Sequence, residues 1–159
     1  MSTDSHFKFD GVDGESSHKD HKGEIEVLSW SWGVSQSTGA ASGTGSGKGK
    51  ANPSELHFSH LYDKASPVLA KHCASGKHFA TAVLTCRKAG EGQKDFLKVT
   101  MKEVFITAVS PSGGSGGDLV ESISCSYKDI EFEYKPQDDK GGLGGSVKFG
   151  WNNATTEIR

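Results

Sequence analysis

Apolar and polar residues alternate along most of the chain, the spacing of strands whose successive side chains point to opposite faces. Phe7 and Phe9 alternate with polar neighbours, Val27, Leu28, Trp30 and Trp32 fall within residues 25–34, and Leu56 and Phe58 fall within 55–60. Longer segments rich in Val, Ile, Thr, Phe and Tyr cover 79–87, 96–109 and 119–134, the last two separated by Pro111-Ser-Gly-Gly-Ser-Gly-Gly117. A meander of antiparallel strands is expected. One helix interrupts it: Ser66 is placed to cap it, Pro67 suits the first helical position, Val68, Leu69, His72 and Cys73 share a face, and Gly76 can close the C-terminus. At about two to three turns it is marginal alone, so it must dock Leu69 and Cys73 onto the sheet.

In three segments the apolar phase changes midway. Ile25 and Val27 give way to Leu28, Trp30, Trp32 and Val34; Leu97, Val99 and Met101 to Val104 and Ile106; Ile123, Cys125 and Tyr127 to Ile130, Phe132 and Tyr134. Each switch implies either a bulge that restores the inward direction, as in strongly bent barrel strands, or a second buried face covered by another subunit. Both fit an assembling protein of the mainly β class, a small antiparallel β-barrel with one short flanking α-helix. The second option makes Leu28, Trp30, Trp32, Ile130, Phe132 and Tyr134 candidate subunit-interface residues.

The length of 159 residues suits a single domain over residues 1–159. With 18 basic against 20 acidic residues, net −2, the chain carries no electrostatic footprint for nucleic acid and no polybasic membrane anchor. Three cysteines without C-x-x-C spacing read as small buried residues in a reducing compartment. No apolar run opens the chain, so neither a signal peptide nor membrane insertion is expected and folding is assigned to the cytoplasm. Glycine gathers at 39–49, 113–117 and 141–145, marking turns or loops, the first within a long Gly/Ser-rich loop at about 36–52.

Candidate chemistry thins out on inspection. Gly113-Gly-Ser115-Gly-Gly117 has the letters of a G-x-S-x-G elbow but sits between two strands, not between strand and helix. Gly43-Thr-Gly-Ser-Gly47-Lys48-Gly49 lacks the first glycine and the final hydroxyl of a phosphate loop. Seven histidines raise a metal question, densest at His18-x-x-His21 beside Glu15 and Asp20, but that stretch reads as a solvated polar loop. No catalytic residue, cofactor or metal is assigned, so function is expected to lie in the protein's surfaces.

Asp13-Gly-Glu-Ser16 and Lys19-Asp-His21, leading into Glu24-Ile-Glu-Val-Leu-Ser-Trp-Ser-Trp-Gly33, resemble the N-terminal half of the haemolysin-coregulated proteins, tube subunits of bacterial type VI secretion. Asp63-Lys-Ala-Ser-Pro67, Ser75-Gly-Lys-His78, Arg87-Lys-Ala-Gly90 and Gly150-Trp-Asn152 extend the resemblance in order over nearly the whole chain. It implies a compact β-barrel with a flanking helix, a homohexameric ring, and rings stacked into a tube that a contractile sheath expels. The implied partners are other copies of the chain, spike and sheath proteins, and effectors sheltered in the lumen. Export without a cleaved signal peptide is implied too. The resemblance assigns residues 36–52 to a loop reaching the next ring, with Thr38, Gly39, Gly43, Gly45, Gly47 and Lys48 as its inter-ring residues. Two other readings stay open: a β-sandwich binding module using Trp30 and Trp32 as a platform, and a small hydrolase using Ser115.

Overall fold

The computed structural model describes residues 2–37, 50–90, 92–138 and 142–159. The inter-ring candidates Thr38, Gly39, Gly43, Gly45, Gly47 and Lys48 lie outside the described residues. In chain order the elements are β1 (Thr3–Phe9), β2 (Ile25–Val27), β3 (Ser29–Ser31), β4 (Val34–Gln36), β5 (Ala51–Pro53), β6 (Leu56–Leu61), α1 (Ser66–Ser75), β7 (Phe79–Lys88), β8 (Asp95–Ser112), β9 (Val120–Ser126), β10 (Asp129–Tyr134) and β11 (Val147–Asn152).

The strands pair antiparallel in the order β2-β1-β7-β8-β9-β6-β3. The two ends of that path, β2 and β3, are separated by the single residue Leu28, whose N–H donates to the Ser59 carbonyl at 2.8 Å. The path therefore returns to its own start. Counting β2 and β3 as one ribbon gives six strands, an even number, as antiparallel closure requires. The result is an antiparallel barrel, which overturns the β-sandwich alternative. The order is not the simple meander expected, because β1 and β6 insert between strands distant in sequence.

Each change of apolar phase marks a corner of this barrel. At Leu28 the ribbon passes from β1 to β6 as partner. In the 18-residue β8, Glu103 takes φ +50° and the register shifts again between Ile106 and Ala108, so Val99 and Met101 on one side and Val104 and Ile106 on the other all face the core. At Tyr127 and Lys128 the chain leaves β9, which pairs with β6, and enters β10, which pairs with β11. Along β1 the alternation is simple: Phe7 and Phe9 point inward, stacked at 4.6 Å, and Phe7 also meets Phe58 at 4.7 Å.

The helix forms where expected but begins differently. Ala65 occupies the cap position without a side-chain bond, and Ser66 is the first helical residue. The Ser66 hydroxyl accepts from the Asp63 N–H at 3.1 Å and Asp63 Oδ1 accepts from the Ala65 N–H at 2.9 Å, so Asp63 takes over the capping. Gly76 closes the helix with φ +71°, a conformation that favours glycine. Leu69 is fully buried, whereas Cys73 is only half-buried. Strands β5 and β11 were not expected: the first is three residues long and contains Pro53, and the second follows a glycine-rich stretch.

Candidate assembly surfaces

A hub around Tyr127 fixes the base of the arm that carries the Gly/Ser-rich loop. Trp32 Nε1 donates to the Tyr127 hydroxyl at 2.7 Å, and that hydroxyl donates to the Ser54 carbonyl at 2.8 Å. Ser54 is tied to Gly33 both ways, N–H to carbonyl at 2.7 Å and hydroxyl from the Gly33 N–H at 3.0 Å. From there β4 and β5 pair antiparallel, Val34 opposite Pro53 and Gln36 opposite Ala51. The arm thus starts as a hairpin rather than a structureless loop. Burial raises the Tyr127 pKa although Trp32 donates to it, so the phenol stays protonated and keeps both bonds.

Three groups of exposed apolar side chains offer contact surfaces. The first is a groove of about 200 Å³ lined by Leu28, Leu61, Tyr62, Glu15, Glu26 and Asp63. The second flanks β11, where Tyr134 and Val147 are cross-strand partners, 46% and 64% exposed. The outer edge of β11 is covered where Arg159 exchanges backbone hydrogen bonds with Gly150 at 2.9 and 3.1 Å and the Asn152 N–H donates to the Glu157 carbonyl at 3.0 Å. Strand alternation points the backbone groups of Lys148 to that same outer side, where none of the described strands pairs with β11. The third is Ile158, 68% exposed beside the arm base.

The interface candidates divide accordingly. Leu28 and Tyr134 are exposed. Trp30 and Trp32 are half-buried against the core, with Trp32 packed on Phe132 at 4.7 Å. Phe132 is itself half-buried. Ile130 is fully buried in the protomer. Substituting Asp at Phe132 would damage the Trp32 contact as well as any interface, so the outward-facing Tyr134 is the better probe.

The polar loop 10–24 is not the solvated segment expected. His21 is 6% exposed, with Nδ1 at 2.9 Å from Glu24 and Nε2 at 3.0 Å from Asp95. Arg87 bonds Asp95 through Nε at 2.8 Å and Asp20 through Nη1 at 2.9 Å. Burial opposes ionisation of Asp95, but Arg87 and His21 outweigh it and hold its carboxyl below the ordinary value. Gly14 has no alternative residue here, because a Cβ would lie 2.5 Å from the Glu24 carbonyl oxygen. Gly14, Asp20, His21, Glu24 and Arg87, all within the quoted motifs, thus close the loop onto β7 and β8. Among the described residues no group of His, Cys, Asp or Glu is arranged to hold a metal. Ser115 lies exposed in the turn between β8 and β9. None of the described residues completes a hydrolytic triad with it. The three cysteines are free thiols, and none of the described helices is long and apolar enough to cross a membrane.

The molecule is an antiparallel barrel bearing a hairpin arm and outward-facing apolar side chains. The sequence profile described as "Type VI secretion system effector, Hcp" matches residues 6–134. The chain is 51% identical over 156 residues to protein hcp1 of Pseudomonas aeruginosa, covering 96% of each. Its fold superposes on the crystal structure of Hcp1 from Salmonella typhimurium with TM-score 0.83 and 37% identity, covering both chains completely. A structure titled as a type six secretion system protein gives TM-score 0.93 at 33% identity, over 99% of this chain and 100% of that one. The chain belongs to the Hcp family of type VI secretion proteins, which are structural secreted proteins rather than enzymes.

Proposed function

We propose that this chain is the tube subunit of a type VI secretion machine. Six copies close into a ring, rings stack, and the tube is assembled in the cytoplasm and expelled by the sheath beneath a spike, without a cleaved signal peptide. Effectors shelter in its lumen. The observation that carries the reading is the open part of the β11 edge beside exposed Tyr134 and Val147. An unpaired strand edge with apolar neighbours favours a head-to-tail contact between identical subunits, and such a contact generates a ring when its rotation closes. Leu28, Trp30, Trp32 and Phe132 support that contact directly or from beneath.

Light scattering of the purified chain tests it: the expected mass is six times the protomer's 16.9 kDa. Tyr134→Asp is expected to shift the mass to the protomer while leaving stability within about 0.5 kcal/mol, the usual range for an exposed site. A protomer-mass particle at every concentration refutes the proposal. Stacking is assigned to the arm: ordering a Gly/Ser segment costs about 1–2 kcal/mol per residue, so each contact is weak and stacking is reversible. Deleting residues 38–48 is expected to leave a particle of six shortened copies and abolish tubes in electron micrographs.

A further inference from the structure

We propose that His6 is a proton-operated latch: loop 10–24 lies closed over the barrel while the His6 imidazole is neutral, and lifts when His6 takes a proton. His6 is on β1, 3% exposed, and its Nδ1 has no hydrogen-bond partner. Its ring stacks face to face on His21 at 4.7 Å with 9° between planes, and His18 meets it edge-on at 5.2 Å. Whichever nitrogen carries the neutral ring's one proton, a second proton would make a buried cation whose Nδ1 has no partner, placed against two further imidazoles. The closed loop therefore requires the neutral ring.

The surrounding charges reinforce this. On β7, Arg87 brings a fixed positive charge to the cluster, its Nη2 3.2 Å from His21 Nε2. The carboxylates are committed elsewhere: Glu24 to His21, Asp95 to His21 and Arg87, and Asp20 to Arg87. Asp4 and Glu26 line the same cleft from β1 and β2, Glu26 as the cross-strand partner of His6. Asp4 is the one attraction in His6's favour, and burial together with His21, His18 and Arg87 outweighs it, so the pKa falls to about 4. In the lifted state His6 faces water and takes its ordinary value, near 6.5. Each protonation is thus coupled to opening.

The loop transmits the change. Glu15 Oε2 accepts from the Lys64 N–H at 2.8 Å, ahead of α1, and Glu15 also forms one wall of the groove over Leu28, Leu61 and Tyr62. Lifting the loop removes that wall and frees the start of the helix, so acid reshapes an exposed apolar surface.

Hydrogen–deuterium exchange of the intact chain tests the latch, with rates corrected for intrinsic pH dependence. The opening equilibrium of peptides spanning 12–24 is expected to rise roughly thirty-fold between pH 7.5 and pH 5, from the two pKa values, while a peptide spanning 97–106 stays protected. His6→Phe keeps the stacked ring and removes the proton, so its loop is expected to remain closed across the range. His6→Gln gives the same comparison should the phenylalanine variant not fold. A wild-type loop protected equally at both pH values, or variants that open with the wild-type midpoint, overturns the proposal.

Discussion

Alanine at Glu121 is expected to destabilise the fold by about 3–5 kcal/mol, because it leaves a buried charge without its partner. Glu121 and His60 are cross-strand partners on β9 and β6, 1% and 0% exposed, with Oε1 and Nε2 2.9 Å apart. Asp63 Oδ2 stands 3.8 Å from His60 Nδ1, near enough to attract a charge and too far for a hydrogen bond. Burial alone would lower the His60 pKa, but the carboxylates of Asp63 and Glu121 outweigh it and the pKa is raised. The sign of the pH dependence follows from linkage. A raised folded-state pKa makes the contribution complete below pH 6.5, the ordinary value, and removes it as pH climbs through the raised one. Thermal melts from pH 6 upward should show the wild type losing stability on that climb. Glu121→Gln retains an acceptor for Nε2 but no charge, so its loss is smaller and its pH dependence flatter. The alanine loss corresponds to about 10 °C in Tm for a chain of this size, and a variant melting with the wild type at pH 6 contradicts the account.

His60 and Glu121 also show where the sequence stops being legible. Neither stands out as a pair, since 61 positions separate them and only the β6–β9 register joins them. β1 was legible because the alternation of Phe7 and Phe9 is local, and β7 because its Phe, Val and Thr residues favour strands, although Leu84, Thr85, Cys86 and Arg87 are buried in succession. The phase switches were legible too, as places where something had to bend, but not as a change of partner strand at Leu28 or a left-handed Glu103. Three-residue strands such as β5 carry too few positions for a period. The loop 10–24 misled for a related reason: Ser, Lys, Asp and His look solvated in sequence, and only contacts from β7 and β8 reveal that His21 is buried against Asp95 and Arg87. Within the second apolar phase the sequence did not separate exposed from buried positions: Leu28 and Tyr134 are exposed, while Ile130 turns inward.

Phe7→Ala is expected to cost about 3–5 kcal/mol, the range for deleting a buried aromatic ring. Phe7 is fully buried, registers with Leu84 on β7 and Ile25 on β2, and contacts the Phe9 and Phe58 rings. Four elements therefore line the cavity, and backbone pairing on both sides of β1 prevents it from collapsing. Slipping β1 by one residue cannot fill it, because the slip would turn His6 into the core and unpair its polar surroundings. Phe7→Leu retains most of the volume and should lose less than about 1.5 kcal/mol. Urea unfolding separates the cases: the alanine midpoint should fall while the slope m stays at the wild-type value, since the same surface is exposed on unfolding. An alanine variant within about 1 kcal/mol of wild type would mean that the Phe58 and Phe9 rings close the gap, and that the barrel's aromatic centre yields more than a close-packed interior should.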